Sequence, residues 1–599
     1  MFVSLFSALA ENPKDFSPFP AGIDRPAWNA LPEELCARLI EKGDDALKTP
    51  WPVLSASDYL DFTKTGTRVF FEEKYFSRRR LLNDLVIAEC AAGQRLYLDA
   101  VADRVWFLCE ESGWQLPAHN AYIRDAVQIP LPDPNRPVLD LFACETAAGL
   151  AMIRHLLGTG LESAAPGITA RLLWELDRRV ITPYLNERFW WMGSGDERMC
   201  NWTPWCTQNL LLVAALTPLS DETRRMICRQ AVLSLDYFLK DYDDDGCCDE
   251  GARYYGHAAL CLFAAMEILN GMTDGFFAPL YKTEKIRNMA DYIRQAHVAD
   301  DYYINFADCP PILNPPGALE FLFGKRTENA ALSSFAAAGA RRRGLYEPSD
   351  DLSLHTRLTE FFRASEIEAY QAKPETPADR YFESVGMLIT RDDRFCLAVK
   401  TGGNDDNHNH NDTGSVTLYS DGKPFLIDVG IGSYTRDTFS SRRYAIWTMQ
   451  SAYHNLPTFA GIMQSPGADY RARDIHYSIG GPETSISFDI AGAYLKEAGV
   501  SHYRRSVLLK KGIGVRITDD YEGTHPAELS LMLCRRPVIS GQSIQVPGRG
   551  EITIRGADAV RLEDIPITDP ILLKSWPDVL FRLLITFSHK LGILITPAK

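Results

Sequence analysis

Up to about residue 375 the apolar positions recur at helical spacing. The stretches "RRLLNDLVIAECAAGQRLYLDAVADRVWFLCEES", "TAAGLAMIRHLLGTGL", "TARLLWELDRRVITPYLNERF", "DETRRMICRQAVLSLDYFLKDY", "GHAALCLFAAMEILNGM" and "ENAALSSFAAAGARRRG" all carry it. Asp, Ser or Thr often stands near the start of such a stretch and Gly near its end, the pattern of capped helices. A dozen or so helices with no strand run between them predict helix-on-helix packing. No strict repeat at fixed period is visible, which favours a ring of unequal helical hairpins over a regular solenoid.

The pattern changes after the Pro-rich "QAKPETPADRY". From there the chain alternates at period two, in "FCLAVKT", "GSVTLYSDGKPFLIDVG", "TSISFDI", "YRRSVLLKKGIGVRITDDY", "AELSLML" and "EITIRG". Asp421-Gly422, Lys511-Gly512 and Glu522-Gly523 read as turns between these strands. Many short strands at this spacing predict antiparallel sheets stacked as a sandwich. The expected organisation is therefore a multidomain α-then-β chain: helices over 1–375 and an antiparallel β-sandwich over 376–599. A chain of 599 residues exceeds the size of a single core, in keeping with two domains.

Composition and charge narrow the function. The chain is 46% hydrophobic and 24% charged, ordinary for a globular protein, and its net charge of −15 argues against general nucleic-acid binding. An anionic substrate stays open, because arginines gathered in a cleft outweigh the global field locally. The 13 cysteines are scattered and form no CxxC, which reads as reduced thiols in a cytoplasmic setting. The N-terminal "MFVSLFSALAENPKDF" has no basic residue before its apolar part and makes a poor secretory signal, with periplasmic or secreted placement the other option. The uncharged stretch from Asn201 to Ser220 is interrupted by Pro204 and Pro218 and by polar Thr, Gln and Asn, so no membrane span is expected.

Three stretches of the helical half carry candidate chemistry. "WWMGSGDERMCNWTPWCTQNLL" packs four tryptophans, Trp202 and Trp205 among them, around Asn201; "EGARYYGHAAL" brings Tyr254, Tyr255 and His257; "GWQLPAHNAY" brings Trp114, His119 and Asn120. Each aromatic alone reads as core. Together with Asn and Tyr they are the equipment of a sugar cleft, since rings stack on pyranose faces and amides bond hydroxyls and carboxylates.

In the β half, "NDDNHNHNDTGSVTLYSDGKPFLIDVGIGSY" holds His408 and His410 two apart, Asp412, Asp428 and Tyr434. On an extended segment His408 and His410 would project to one face. Asp428 ends an apolar run, where a carboxylate is expensive unless paired or metal-bound, and His454 lies in the apolar "SAYHNLPTF". Two imidazoles and a carboxylate suit one divalent ion, zinc or else manganese.

The segments "HNHNDTGSVTLYSDGKPFLIDVG" and "SAYHNL" resemble the signature of the heparinase II/III superfamily of polysaccharide lyases. "NW" at Asn201-Trp202 and "EGARYY" at Glu250–Tyr255 are similar to that family's segments in the helical half. The resemblance implies an incomplete α/α toroid followed by antiparallel β-sheets. It also implies β-elimination on a uronate-containing glycosaminoglycan of hyaluronan, chondroitin or heparan type, with alginate a further option. Asn201 would neutralise the uronate carboxyl, Tyr254 (or Tyr255, if the register slips by one) would be the catalytic acid, and His408 the base. Trp114, His119, Asn120, Trp202, Trp205 and Tyr434 would line the sugar. His410, Asp428 and His454 would hold the metal, mainly for structure. Two other classes compete: a non-haem metal-dependent oxygenase, which His410-Asn411-Asp412 with His454 imitates, and a non-catalytic glycan-binding protein.

Overall fold

The structure, a computed structural model, describes residues 13–124 and 126–598. The apolar N-terminal stretch weighed as a secretory signal lies largely before residue 13, outside the described residues. Contacts divide the chain into two compact units. The first comprises Met1–Tyr242, Gly256–Ala290 and Pro315–Glu375; the second comprises Asp243–Tyr255, Asp291–Asn314 and Thr376–Lys599.

The first unit is helical, and its helices begin and end where local chemistry allows. Ser55 and Asp58 form a reciprocal capping box at the start of Ala56–Thr65, and Gly66 closes that helix in the left-handed region. Asp140 caps Leu141–Ala164 by accepting from the Ala143 amide. The long apolar stretch that starts at Arg79 is two helices rather than one, Val69–Ala92 and Leu98–Cys109, with left-handed Gly93 ending the first. Leu141–Ala164, Trp202–Leu216 and Ala259–Met272 are buried on nearly every face. By contrast Glu33–Lys48 buries only the stripe Leu35, Leu39, Gly43 and Ala46. Helices apolar all round must be enclosed by others, and Trp202–Leu216 accordingly packs against Leu141–Ala164, Asp221–Asp241 and Ala259–Met272. Among the described residues no helix is long and apolar enough to cross a membrane.

The second unit is built of antiparallel sheets. A five-stranded meander runs from Arg380–Phe382 to Lys423–Leu426, and beside it lie sheets of eight and four strands. One short strand pair, His297–Ala299 with Tyr302–Tyr303, interrupts the region read as purely helical. The hairpin at Asp421-Gly422 has both residues at positive φ, 50° and 71°, the conformation that a tight two-residue turn demands. Glu522-Gly523 is not a turn: it forms the end of strand Gly514–Gly523, paired with Val500 and His502. Strands such as Val500–Lys510 bury alternate residues, so one face feeds a core shared by Val416, Leu418, Phe459, Val507, Ile517, Leu529 and Leu583.

That core contains one ion pair. Arg505 donates to both carboxylate oxygens of Asp519 at 2.8 Å, to the Gly414 carbonyl at 2.9 Å and to the Asn455 carbonyl at 2.7 Å. Tyr503 donates a further bond to Asp519 at 2.7 Å. Removing one member leaves the other charge buried and unpaired. We expect Asp519→Ala to cost about 3–5 kcal/mol of stability, read as a lower denaturant midpoint, while the exposed pair Arg561–Glu528 tolerates Glu528→Ala within about 1 kcal/mol.

Candidate active site

Four segments of the second unit meet at one buried carboxylate, that of Asp308, which has no exposed surface. The strand-connecting segment at Asn305–Cys309 presents it, held by Asn305, whose amide donates to the carbonyls of Cys309 at 3.2 Å and Asp428 at 3.1 Å. Against this segment lies "EGARYY". Gly251 makes the approach: at φ +88°, a Cβ there would stand 2.8 Å from the Phe306 carbonyl oxygen and 2.8 Å from the Cys309 Cβ.

Asp308 receives four donors. His408 Nδ1 lies 2.7 Å and the Tyr434 hydroxyl 3.0 Å from Oδ2; Arg443 Nη2 lies 2.7 Å and His410 Nε2 3.0 Å from Oδ1. Burial alone would raise this carboxyl, but the two imidazoles and the guanidinium hold it well below the usual carboxylate range. Asp308 therefore stays ionised and only accepts.

His408 and His410 do converge, but not on a strand. Residues 405–415 form a turn, and His408 sits at φ +55°, a strained left-handed conformation for a residue with a Cβ. The two rings reach the two oxygens of one carboxylate instead of sharing a strand face. The other nitrogen of His408, Nε2, lies 3.2 Å from Glu250 Oε2. Carboxylates accept only, so the imidazolium is the form of His408 that satisfies both sides. Burial works against that charge, yet Tyr254, Asp308 and Glu250 raise its pKa well above the ordinary value.

The ring of Tyr254 stands 4.5 Å from that of His408, and its hydroxyl 2.5 Å from the hydroxyl of Tyr434. Tyr254 is half-buried, whereas Tyr255 is buried and packs near Tyr292. In this geometry the first tyrosine, not the second, belongs to the cluster. Burial pushes the Tyr254 phenol up, against the opposing pull of His408.

The residues expected to bind metal are adjacent but partly paired. His454 Nδ1 approaches Asp428 Oδ2 to 3.1 Å, and the His410 and His454 rings lie 5.5 Å apart. Among the described residues no three His, Cys, Asp or Glu side chains gather at metal-ligand spacing. Yet His410 Nδ1 and both ring nitrogens of His454 are buried without a hydrogen bond, an expensive state for polar atoms. One nitrogen from each of these two imidazoles, beside the Asp428 carboxylate, makes a donor set of the kind that suits a divalent cation of the zinc type. Asn455, next to His454, has a structural task. Its amide donates to the Val416 and Ile427 carbonyls, and its oxygen accepts from the Met532 amide.

In the first unit, Asn201 precedes the helix Trp202–Leu216 and is buried. Trp202 packs edge-on to His119 at 4.7 Å and against Trp190 at 5.0 Å. Trp205 stacks on His257 at 4.0 Å and donates to Glu145 at 2.8 Å. Two expected sugar contacts are core instead. Trp114 is 2% exposed and donates to the Leu108 carbonyl; Asn120 is 1% exposed, bonded to Gln115 and the Ile129 carbonyl. Both brace the loop after Cys109, and neither has surface left for a ligand. Tyr434, also expected to touch sugar, has its hydroxyl engaged by Asp308 and Tyr254.

Three members of the site carried no assignment in the sequence: Asp308, Glu250 and Arg443. Asp308 could have been found by the argument applied to Asp428, since "NFADCPP" also strands a carboxylate among apolar neighbours. Arg443, in "SSRRYAIW", offered no signal.

Residues 374–557 match the family model described as heparinase II/III-like, C-terminal. Solved structures share the fold over nearly the whole chain. A heparan sulfate lyase HepC mutant from Pedobacter heparinus aligns with TM-score 0.62 at 14% identity, covering 99% of this chain and 87% of its own. Heparinase III aligns with TM-score 0.67 at 12% identity, covering 99% and 89%. Chondroitin AC lyase of Streptomyces coelicolor A3, in complex with chondroitin sulphate, aligns with TM-score 0.51 at 11% identity, covering 96% and 82%. No curated protein matches the sequence.

The close approach at Gly251 gives a direct test of how the site is assembled. Gly251→Ala adds a Cβ against the Phe306–Cys309 backbone at positive φ, and we expect it to lower stability by more than about 1 kcal/mol in thermal unfolding.

Proposed function

We propose that this chain, whose residues 374–557 carry the heparinase II/III-like C-terminal pattern, is a polysaccharide lyase that cleaves uronate-containing glycosaminoglycans by β-elimination. The observation that carries the reading is the pair Tyr254 and His408, ring against ring at 4.5 Å and tied to an ionised Asp308. Elimination removes the proton on C5, alpha to the uronate carboxylate, and expels the oxygen on C4. It needs a group that exchanges protons and a positive or donor environment for the charge that builds on the carboxylate.

Tyr254 suits the first task. Entering as the phenoxide, it takes the C5 proton as the C5–H bond breaks, and returns it to the C4 oxygen as that C–O bond breaks. His408 suits the second. With both nitrogens directed at carboxylates it has no free lone pair to act as base, and as an imidazolium it favours the phenoxide and the developing negative charge. This departs from the role of base that the resemblance implied for His408. Heparan-type and chondroitin-type polymers are the substrates of the proteins that share the fold by name, and both belong in the first panel.

The experiment mixes the protein with heparan sulfate, chondroitin sulfate, hyaluronan and alginate and follows the ultraviolet absorbance of the new C4–C5 double bond. Absorbance on a uronate polymer supports the lyase; none on any polymer discards it. Tyr254→Phe should lower kcat by ~10²–10⁴-fold while Tyr255→Phe stays near wild type, and the reverse order would move the catalytic role to Tyr255. Because the phenol is raised and the phenoxide is the active form, the rate should climb as pH rises through the alkaline range.

We also propose that His410, Asp428 and His454 hold one divalent ion, zinc or manganese, whose contribution is to fix the segments around the site. The orphaned ring nitrogens support this. Elemental analysis should find one ion per chain in the wild type and less in His454→Ala, and chelation should lower the melting temperature. An unchanged melting temperature with no bound metal would remove the ion and leave the three residues as a buried imidazole–carboxylate cluster.

A further inference from the structure

The hydroxyl of Tyr434 lies 3.0 Å from Asp308 Oδ2 and 2.5 Å from the hydroxyl of Tyr254. A phenol has one proton to give. Asp308 is buried among His408, His410 and Arg443, and as an ionised carboxylate it can only accept, so Tyr434 must spend its proton there. The oxygen of Tyr434 is then left as an acceptor, and Tyr254 must be the donor between the two rings. The order of donation is fixed by the carboxylate at its end: Tyr254 to Tyr434 to Asp308.

From this geometry, and resting on the lyase reading above, we infer that Tyr434 is a positioning residue for Tyr254 rather than a sugar contact. It aims the Tyr254 proton in the resting state and donates to the Tyr254 oxygen once that proton has left. The second arrangement needs only a rotation of the Tyr434 O–H from Asp308 to the phenoxide. Asp308 keeps His408, His410 and Arg443 as partners, so releasing one of four donors leaves it satisfied. No proton changes owner in that rotation. The Tyr434 ring stays in place, packed edge-on to Phe439 at 5.3 Å. Besides Tyr434, His408, Asp308 and Arg253 act on Tyr254. Of these His408 and Arg253 also favour the phenoxide, which bounds what Tyr434 alone contributes. A hydrogen bond to a charged oxygen corresponds to roughly a 10- to 100-fold effect.

Tyr434→Phe keeps the ring and deletes the hydroxyl. On whichever polymer the wild type cleaves, we expect kcat to fall roughly 10- to 100-fold with KM within about twofold and an unchanged melting temperature. A raised KM with unchanged kcat would make Tyr434 a substrate contact and overturn the inference, as would kinetics matching the wild type. A second measurement uses no substrate. The tyrosinate absorbance difference between wild type and Tyr254→Phe isolates the titration of Tyr254, and the same difference taken in the Tyr434→Phe background should lie at higher pH. If the wild type cleaves no polymer, the lyase reading fails, yet this shift still decides whether Tyr434 supports the Tyr254 phenoxide. Coincident titrations would overturn that support.

Discussion

One buried anion organises the site. Asp308 has no exposed surface and takes donors from His408, His410, Tyr434 and Arg443, which lie 100 to 135 residues further along the chain. A carboxylate in that position is costly unless every oxygen is engaged, and the cost is what gives the arrangement its specificity. Both imidazoles reach that carboxylate from the turn at 405–415, whose course runs through the left-handed His408. The unfavourable φ of that residue is thus offset by the ion pair it completes.

A second buried ion connects this assembly to the sheets. Arg505 sits on a central strand, neutralised by Asp519, and spends its remaining donors on the carbonyls of Gly414 and Asn455. Gly414 lies near the end of the turn at 405–415, and Asn455 directly follows His454. Strand pairing in the core therefore reaches the imidazole-bearing loops through one guanidinium. In this respect the site is an extension of the sheet packing and not a set of loops laid over it.

Much of the fold was legible in the sequence, because burial on one side imposes a period of 3.6 or 2 that survives in the text of any long element. The helices around Leu141–Ala164 and the strands around Val500–Lys510 declare themselves in this way. Residues that share one local motif were also readable: His408, His410, Asp428 and His454 stand out against their apolar neighbours. What could not be read was any relation fixed by distant partners. Asp308 and Arg443 meet only in the folded chain, and nothing local to "SSRRYAIW" announces it. Trp114 and Asn120 show the opposite error, since residue types that suit a sugar cleft suit a packed loop equally well, and composition does not separate the two. The period-two reading of "HNHND" failed for a related reason, because alternation within three residues is too short to distinguish a strand from a turn.

The second unit is discontinuous. It takes in Asp243–Tyr255 and Asp291–Asn314 from within the helical stretch of the chain. The change in composition near residue 375 is thus a boundary in the text but not in the chemistry. A fragment starting at Thr376 would retain every strand of the three large sheets, together with His408, His410 and Arg443, and would lack Glu250, Tyr254 and Asp308. It would hold three of the donors without the carboxylate on which they converge. During synthesis the same asymmetry runs in time: the acidic members leave the ribosome first and wait 100 residues or more for the donors that engage them. For gene dissection and domain grafting alike, the indivisible piece is defined by where charge is balanced, and here that piece begins at Asp243.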